Sequence, residues 1–110
     1  RRFPGGPRAP RLSMEEARQT LDGGAPVTVV DVRTQEEFDG GHIPGALLLP
    51  VDTLASAAPE ALPDPQAEIW VYCQSGRRSA AAGRALLAMG YQQVRDLGGI
   101  GGWTGPLVRE

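Results

Sequence analysis

Lysine is missing from this chain of 110 residues, and all eleven basic side chains are arginine. That absence excludes a lysine Schiff base and a Walker-A phosphate loop. It leaves anion binding to guanidinium forks and backbone N–H groups. Cysteine occurs once, as Cys73, and histidine once, as His42. A lone cysteine excludes an intramolecular disulfide and any multi-cysteine zinc or iron–sulfur site. A lone histidine excludes a His cluster, so neither a metal nor a cofactor is expected. No apolar run approaches the roughly 18 residues of a membrane span. The net charge of −2 supplies no basic field to draw the protein to nucleic acid or a membrane surface. With no signal-peptide pattern and a single thiol, the expected compartment is the reducing cytoplasm. The first residue is Arg1 rather than Met, which leaves processing, trimming or an upstream continuation open.

Glycine and proline are plentiful, at 15 and 10 residues, which implies many tight turns. The length is that of one domain able to bury a core without staples. Residues 1–11, rich in Arg, Pro and Gly, read as a flexible arm or linker, and 12–110 as the domain. Ser13-Met14-Glu15-Glu16 is a capping-box pattern predicting a helix to about Leu21, stopped by Gly23-Gly24. Residues 27–32 read as a buried strand. Thr34-Gln35-Glu36-Glu37 is a second capping box ahead of Phe38 and a Gly40-Gly41 stop. A short strand is expected at 46–49 and a weak helix at 52–58, with Pro59, Pro63 and Pro65 holding a loop. Residues 68–72 are a second buried strand, 78–89 a helix ended by Gly90, and 93–97 a last strand. Gly98 to Gly102 read as too flexible for regular structure. Buried strands alternating with helices predict an α/β fold: three layers, α/β/α, around a mainly parallel sheet of four to five strands. Ligands of such sheets sit beyond the carboxyl ends of the strands, where Asp31, Arg33 and Cys73 fall.

The segment Cys73-Gln74-Ser75-Gly76-Arg77-Arg78-Ser79 joins a strand to a helix. Loop N–H groups with no ladder partner converge on the sulfur, and the helix N-terminus adds positive potential. Gly76 permits a backbone conformation that other residues resist, and Arg77 and Arg78 add charge. Each favours thiolate over thiol. Free cysteines are ordinarily small buried hydrophobes, but this loop points to a reactive, anion-binding one. The residues by themselves fit sulfur transfer, phosphate-ester hydrolysis and redox sensing alike.

Four segments carry a family resemblance. Cys73 to Ser79 resembles the C-x-x-G-x-R-S loop of rhodanese-like domains. Asp31-Val32-Arg33 with Glu37-Phe38 is similar to their D-V-R-x-x-x-E-F segment. Gly41-His42-Ile43-Pro44-Gly45-Ala46 resembles G-H-I-x-G-A, and Gly98-Gly99-Ile100 with Trp103 resembles G-G-I-x-x-W. Leu97 abuts the glycine pair directly, where many relatives carry a residue between. The resemblance implies a thiosulfate sulfurtransferase in which Cys73 takes a sulfane sulfur as a persulfide. A second nucleophile, cyanide or a small or protein thiol, would then remove it in a ping-pong cycle. Mercaptopyruvate is the alternative donor, with the Arg-rich loop better suited to thiosulfate. Six residues from Cys73 through Arg78 make a tighter loop than that of the related dual-specificity phosphatases, and Tyr72 stands where those usually carry His. Under the same resemblance, a persulfide carrier or a non-catalytic module of a larger protein is the other function.

Within the loop, Gln74, Ser75, Gly76, Arg77, Arg78 and Ser79 are the candidate substrate-binding residues, with Arg77 on the departing sulfite. Arg78 is expected to brace the loop through Glu37. Asp31 could orient Arg33, tune Cys73 or serve as a turn residue, and Arg33 reads as a structural ion-pair partner. His42 is expected to fix the Gly41–Gly45 turn by hydrogen bonding rather than to act as a base. Trp70 and Trp103 read as core aromatics.

Overall fold

The computed structural model describes residues 6–109. In chain order the elements are α1 (Met14–Asp22), β1 (Thr28–Asp31), α2 (Gln35–Asp39), β2 (Leu47–Leu48), α3 (Leu54–Ala61), β3 (Glu68–Cys73), α4 (Arg77–Ala88) and β4 (Gln93–Gly99), then a 3-10 turn at Ile100–Gly102. The sheet order is β2-β1-β3-β4 and every pairing is parallel. Parallel strands need crossovers, which run through α2, α3 and α4; α3 and α4 pack on one face of the sheet and α1 on the other, giving the α/β/α layers that the alternation predicted. Side chains alternate along β3. Ile69, Val71 and Cys73 join the core shared with Leu54, Ala58, Ala82 and Leu86 of α3 and α4. Trp70 and Tyr72 join Met14 and Ala17 of α1, with Ile43 and Leu97. The sheet is thus buried on both sides, as its apolar strands require. No helix among the described residues is long and apolar enough to cross a membrane.

The structure departs from the sequence reading in four places. Residues 1–5 of the expected arm lie outside the described residues. The rest of the arm is not loose: the Asp96 N–H donates to Pro10 O at 2.9 Å, and the Leu12 N–H to Asp96 O at 3.1 Å. Arg11 thereby bridges β4, an edge strand with unpaired backbone groups to offer. Ala9 is buried against α4, where a methyl on Gly83 would stand 2.9 Å from its Cβ. Second, α3 runs through Pro59 to Ala61 instead of yielding to a loop. Proline removes one internal bond, but Leu54 and Ala58 are fully buried and the Tyr91 hydroxyl lies 2.7 Å from the Leu62 carbonyl and 3.1 Å from that of Ala58.

Third, Gly98 and Gly99 complete β4, and the next three residues form the 3-10 turn. The ladder shifts register between Val71 and Tyr72, so that Gly98 pairs with Tyr72 and Gly99 with Cys73. The Gly98 N–H also donates to the buried Asp96 carboxylate at 2.9 Å. Fourth, the first capping box is half formed. Ser13 Oγ accepts the Glu16 N–H, while the Glu16 carboxylate takes the Ser13 hydroxyl instead of the Ser13 N–H. The second box, Thr34 with Glu37, is complete.

Candidate active site

The carboxyl ends of β1 and β3 lie side by side, with Asp31 in register with Tyr72. Cys73 ends β3 and is fully buried. The chain turns at Gly76, the residue before α4, where φ is +99°. That left-handed conformation aims the loop N–H groups inward. The Gly76 N–H stands 3.0 Å and the Ser79 N–H 3.3 Å from Cys73 Sγ. Burial pushes the thiol up, but the Ser79 hydroxyl and the N–H groups of Ser79, Gly76 and Ser75 outweigh it, leaving Cys73 below its ordinary value. The Ser79 hydroxyl and these N–H groups are the leading groups that lower it, where the sequence reading names the N–H groups, the helix N-terminus and the arginines without ranking them. Gln74, Ser75 and Arg77 are exposed. Arg77 makes no side-chain hydrogen bond or ion pair among the described residues and is open to an incoming anion.

Two guanidinium groups hold the loop from beneath. Arg78 and Glu37 form a two-pronged pair, Nη1 to Oε1 at 2.8 Å and Nη2 to Oε2 at 3.0 Å. These bonds, and then the Thr34 N–H, hold the Glu37 carboxyl down to about 2. Arg33 is buried and donates to both oxygens of Asp31, with Nη2 to Oδ2 at 2.7 Å. Its remaining donors reach the Gly41 carbonyl at 2.7 Å and Gln74 Oε1 at 3.1 Å. Asp31 also accepts the Arg33 N–H at 2.9 Å, so its carboxylate orients Arg33 and closes the turn. Beneath them, the Tyr72 hydroxyl accepts the Ile43 N–H at 3.1 Å, and burial pushes that phenol up and keeps it neutral.

The structure brings Cys73, Ser75, Gly76 and Ser79 around one sulfur, and couples Asp31, Arg33 and Gln74 in a second group. His42 stands apart from both. Its Nδ1 is 2.8 Å from the Phe38 carbonyl and its ring stacks on Phe38 at 3.6 Å. Its backbone pairs in both directions with Val108. It therefore ties the turn to α2 and to the chain's last residues. Sequence reasoning missed Gly99. A Cβ there would stand 2.6 Å from the Gln74 carbonyl oxygen and 3.2 Å from Ser75 Cα, so the glycine backbone is the floor on which the loop rests. The available signal was a glycine pair ending a strand beside that of Cys73.

A cavity of about 290 Å³ opens next to the loop, lined by Arg33, Glu36, Gly41, Gln74, Ile100 and Leu107 among others. A larger hollow of about 660 Å³ lies at the opposite end of the sheet, between Leu12, Val27, Trp70 and Arg95, and no cysteine or histidine lines it. Among the described residues no three of His, Cys, Asp and Glu converge as metal ligands would. At the Cys73 end the described residues form a thiolate-stabilising cradle with an exposed arginine in the same loop.

Comparison with known proteins places this geometry. The family model for the rhodanese-like domain matches residues 13–105. The putative sulfur carrier protein YrkF of Bacillus subtilis is 34% identical over 87% of this chain, which spans about half (51%) of that relative. The thiosulfate sulfurtransferase PspE of Escherichia coli is 34% identical over 73% of this chain and 77% of its own length. A rhodanese-like domain from Anabaena, solved in solution, superposes with a TM-score of 0.85 at 27% identity, covering 92% of this chain and 80% of the other. A cysteine loop between strand and helix, a four-stranded parallel sheet and a match over most of the chain agree, and the chain belongs to the rhodanese-like family of sulfurtransferases and sulfur carriers.

Proposed function

We propose that this protein transfers a sulfane sulfur from thiosulfate to a thiophilic acceptor, with Cys73 as the nucleophile. The Cys73 thiolate attacks the outer sulfur of thiosulfate. The new S–S bond forms as the old one breaks, and sulfite leaves with the bonding pair, so the enzyme holds a persulfide anion. Cyanide or a thiolate then takes the outer sulfur, as thiocyanate or a new persulfide, and returns the Cys73 thiolate. Arg77, at the rim, receives the sulfonate oxygens of the donor. The N–H groups of Ser75, Gly76 and Ser79 stabilise thiolate and persulfide in turn.

The observation that carries this reading is the buried Sγ held by the Gly76 and Ser79 N–H groups in a six-residue loop. Such a cradle needs no base to ionise the thiol. The loop suits a sulfur atom better than a phosphate, and hydrolysis of an aryl phosphate is not expected. A second reading, persulfide carriage to a partner protein, is favoured by the carrier relative of which the chain spans only half. The deciding experiment is intact mass after incubation of reduced protein with thiosulfate. A gain of one sulfur atom, reversed by cyanide and absent in Cys73→Ser, is the expected result. An unchanged mass with Cys73 still open to alkylation rejects thiosulfate as donor and moves the carrier reading forward.

A further inference from the structure

Arg33 has a task that the reaction above does not use. It is buried, fixed to Asp31 by three hydrogen bonds and to the Gly41 carbonyl by another, and its Nη1 reaches the side chain of Gln74. A guanidinium carries donors and no acceptor. The Gln74 atom that faces it must therefore be Oε1, and the amide cannot turn over without opposing two donors. The amide Nε2, with its two N–H groups, has no partner among the described residues, and Gln74, the residue after Cys73, is exposed on the wall of the cavity that Arg33 and Glu36 also line.

We infer that Arg33 is a positioning residue that locks the Gln74 amide with both N–H donors turned away from Arg33 and toward incoming reactants, making Gln74 the residue that selects anionic over neutral reactants at Cys73. Two fixed donors are complementary to the oxygens of a sulfonate or carboxylate and have nothing to bond on a neutral alkyl or amide reactant of similar size. The exposed Arg77 guanidinium strengthens the preference without orienting it. Glu36, on the same cavity wall, is exposed and opposes an anion, but solvent screens it. Glu37 is neutralised by Arg78. For thiosulfate the consequence rests on the sulfur-transfer reading above. For alkylating agents it does not.

The test uses both. The rates at which Cys73 is alkylated by iodoacetate, an anion, and by iodoacetamide, its neutral counterpart, are measured as a ratio in the wild type and in three loop variants. Gln74→Met removes both donors. Gln74→Asn keeps the amide but is one methylene too short for Arg33. Gln74→Glu keeps the acceptor for Arg33 and replaces the donors with negative charge. The iodoacetate-to-iodoacetamide ratio is expected to fall about tenfold in the Met and Asn variants and further in the Glu variant. Persulfide formation from thiosulfate falls in the same order. A wild-type ratio in Gln74→Met overturns the selection. A wild-type ratio in Gln74→Asn overturns the positioning by Arg33. A wild-type protein that forms no persulfide, but whose ratio collapses in all three variants, rejects thiosulfate as donor and leaves the inference standing.

Discussion

Two strand-to-helix turns sit side by side in this fold and use the same backbone feature for opposite ends. Both leave the carboxyl edge of neighbouring parallel strands, β1 into α2 and β3 into α4. At the first, Thr34 caps the helix: its hydroxyl accepts the Glu37 N–H at 3.2 Å, and Glu37 returns a bond to the Thr34 N–H at 3.0 Å. At the second, Gly76 holds the cap position and supplies no side-chain acceptor. The N–H groups that a cap would satisfy turn to the Cys73 sulfur instead. A helix start becomes an anion site when its capping side chain is withheld and an anionic atom is placed where that side chain's oxygen would be. The two turns are then tied across by Glu37–Arg78 and Arg33–Gln74, so the structural turn holds the reactive one.

The comparison breaks most severely at Gly76. An alanine at φ +99° is strained by about 1–2 kcal/mol, and relieving that strain turns the N–H away from sulfur. In Gly76→Ala, persulfide formation should fall about 100-fold, the scale of a donor displaced by about an ångström. Stopped-flow release of sulfite checks it, and a loss confined to thermal stability would refute the directing role.

Glu37→Gln comes next and acts on folding more than on chemistry. The pair is a third exposed, so its loss should cost about 1–2 kcal/mol, read as a lower Tm with sulfur transfer largely kept. A loss of activity at unchanged Tm would move Arg78 into the reaction. The sign with pH follows from the depressed carboxyl. Its folded value near 2 lies below the ordinary 4.5, so the pair contributes fully above about pH 4.5 and its contribution is lost as pH falls through 2. The stability gap between wild type and Glu37→Gln should close across that window in acid titrations followed by circular dichroism.

Thr34→Ala sharpens the contrast. It removes a cap worth about 1 kcal/mol at the turn that holds no nucleophile, and sulfur transfer per folded molecule should be unchanged. The smallest effect is expected at Ser79→Ala. The Ser79 hydroxyl leads the groups that lower the Cys73 thiol, so the pH at which iodoacetamide alkylation reaches half its maximum should move upward. An unmoved inflection would assign the lowering to the N–H groups alone.

Much of this was readable along the chain because it is local. The Thr34–Glu37 box, the β-branched run ending in Asp31 and the apolar run ending in Cys73 each lie within a few residues, where periodicity and capping rules apply. What went unread is long-range. Residues 9–11 look like part of an arm because nothing nearby asks for them, yet the open edge of β4 does. Gly98 and Gly99 look too flexible because glycine lacks local preference, yet the ladder from β3 fixes them. His42 looked bound to its own turn and instead reaches back to Phe38 and forward to Val108.

The sequence by itself determined the layered α/β architecture and the chemical character of the Cys73 loop. Burial alternation, caps and the Gly76 turn are decided over distances of a few residues, where side-chain type and backbone sterics dominate. The tertiary structure alone decided which backbone the loop rests on and which donor meets the Gln74 amide, and it set the geometry of the Arg78–Glu37 pair already expected from the sequence. Those depend on groups about 40 residues apart in sequence, such as Arg33 and Gln74 or Glu37 and Arg78. Parallel pairing of β1 and β3 brings them to one edge, and a buried guanidinium must find acceptors wherever the fold presents them.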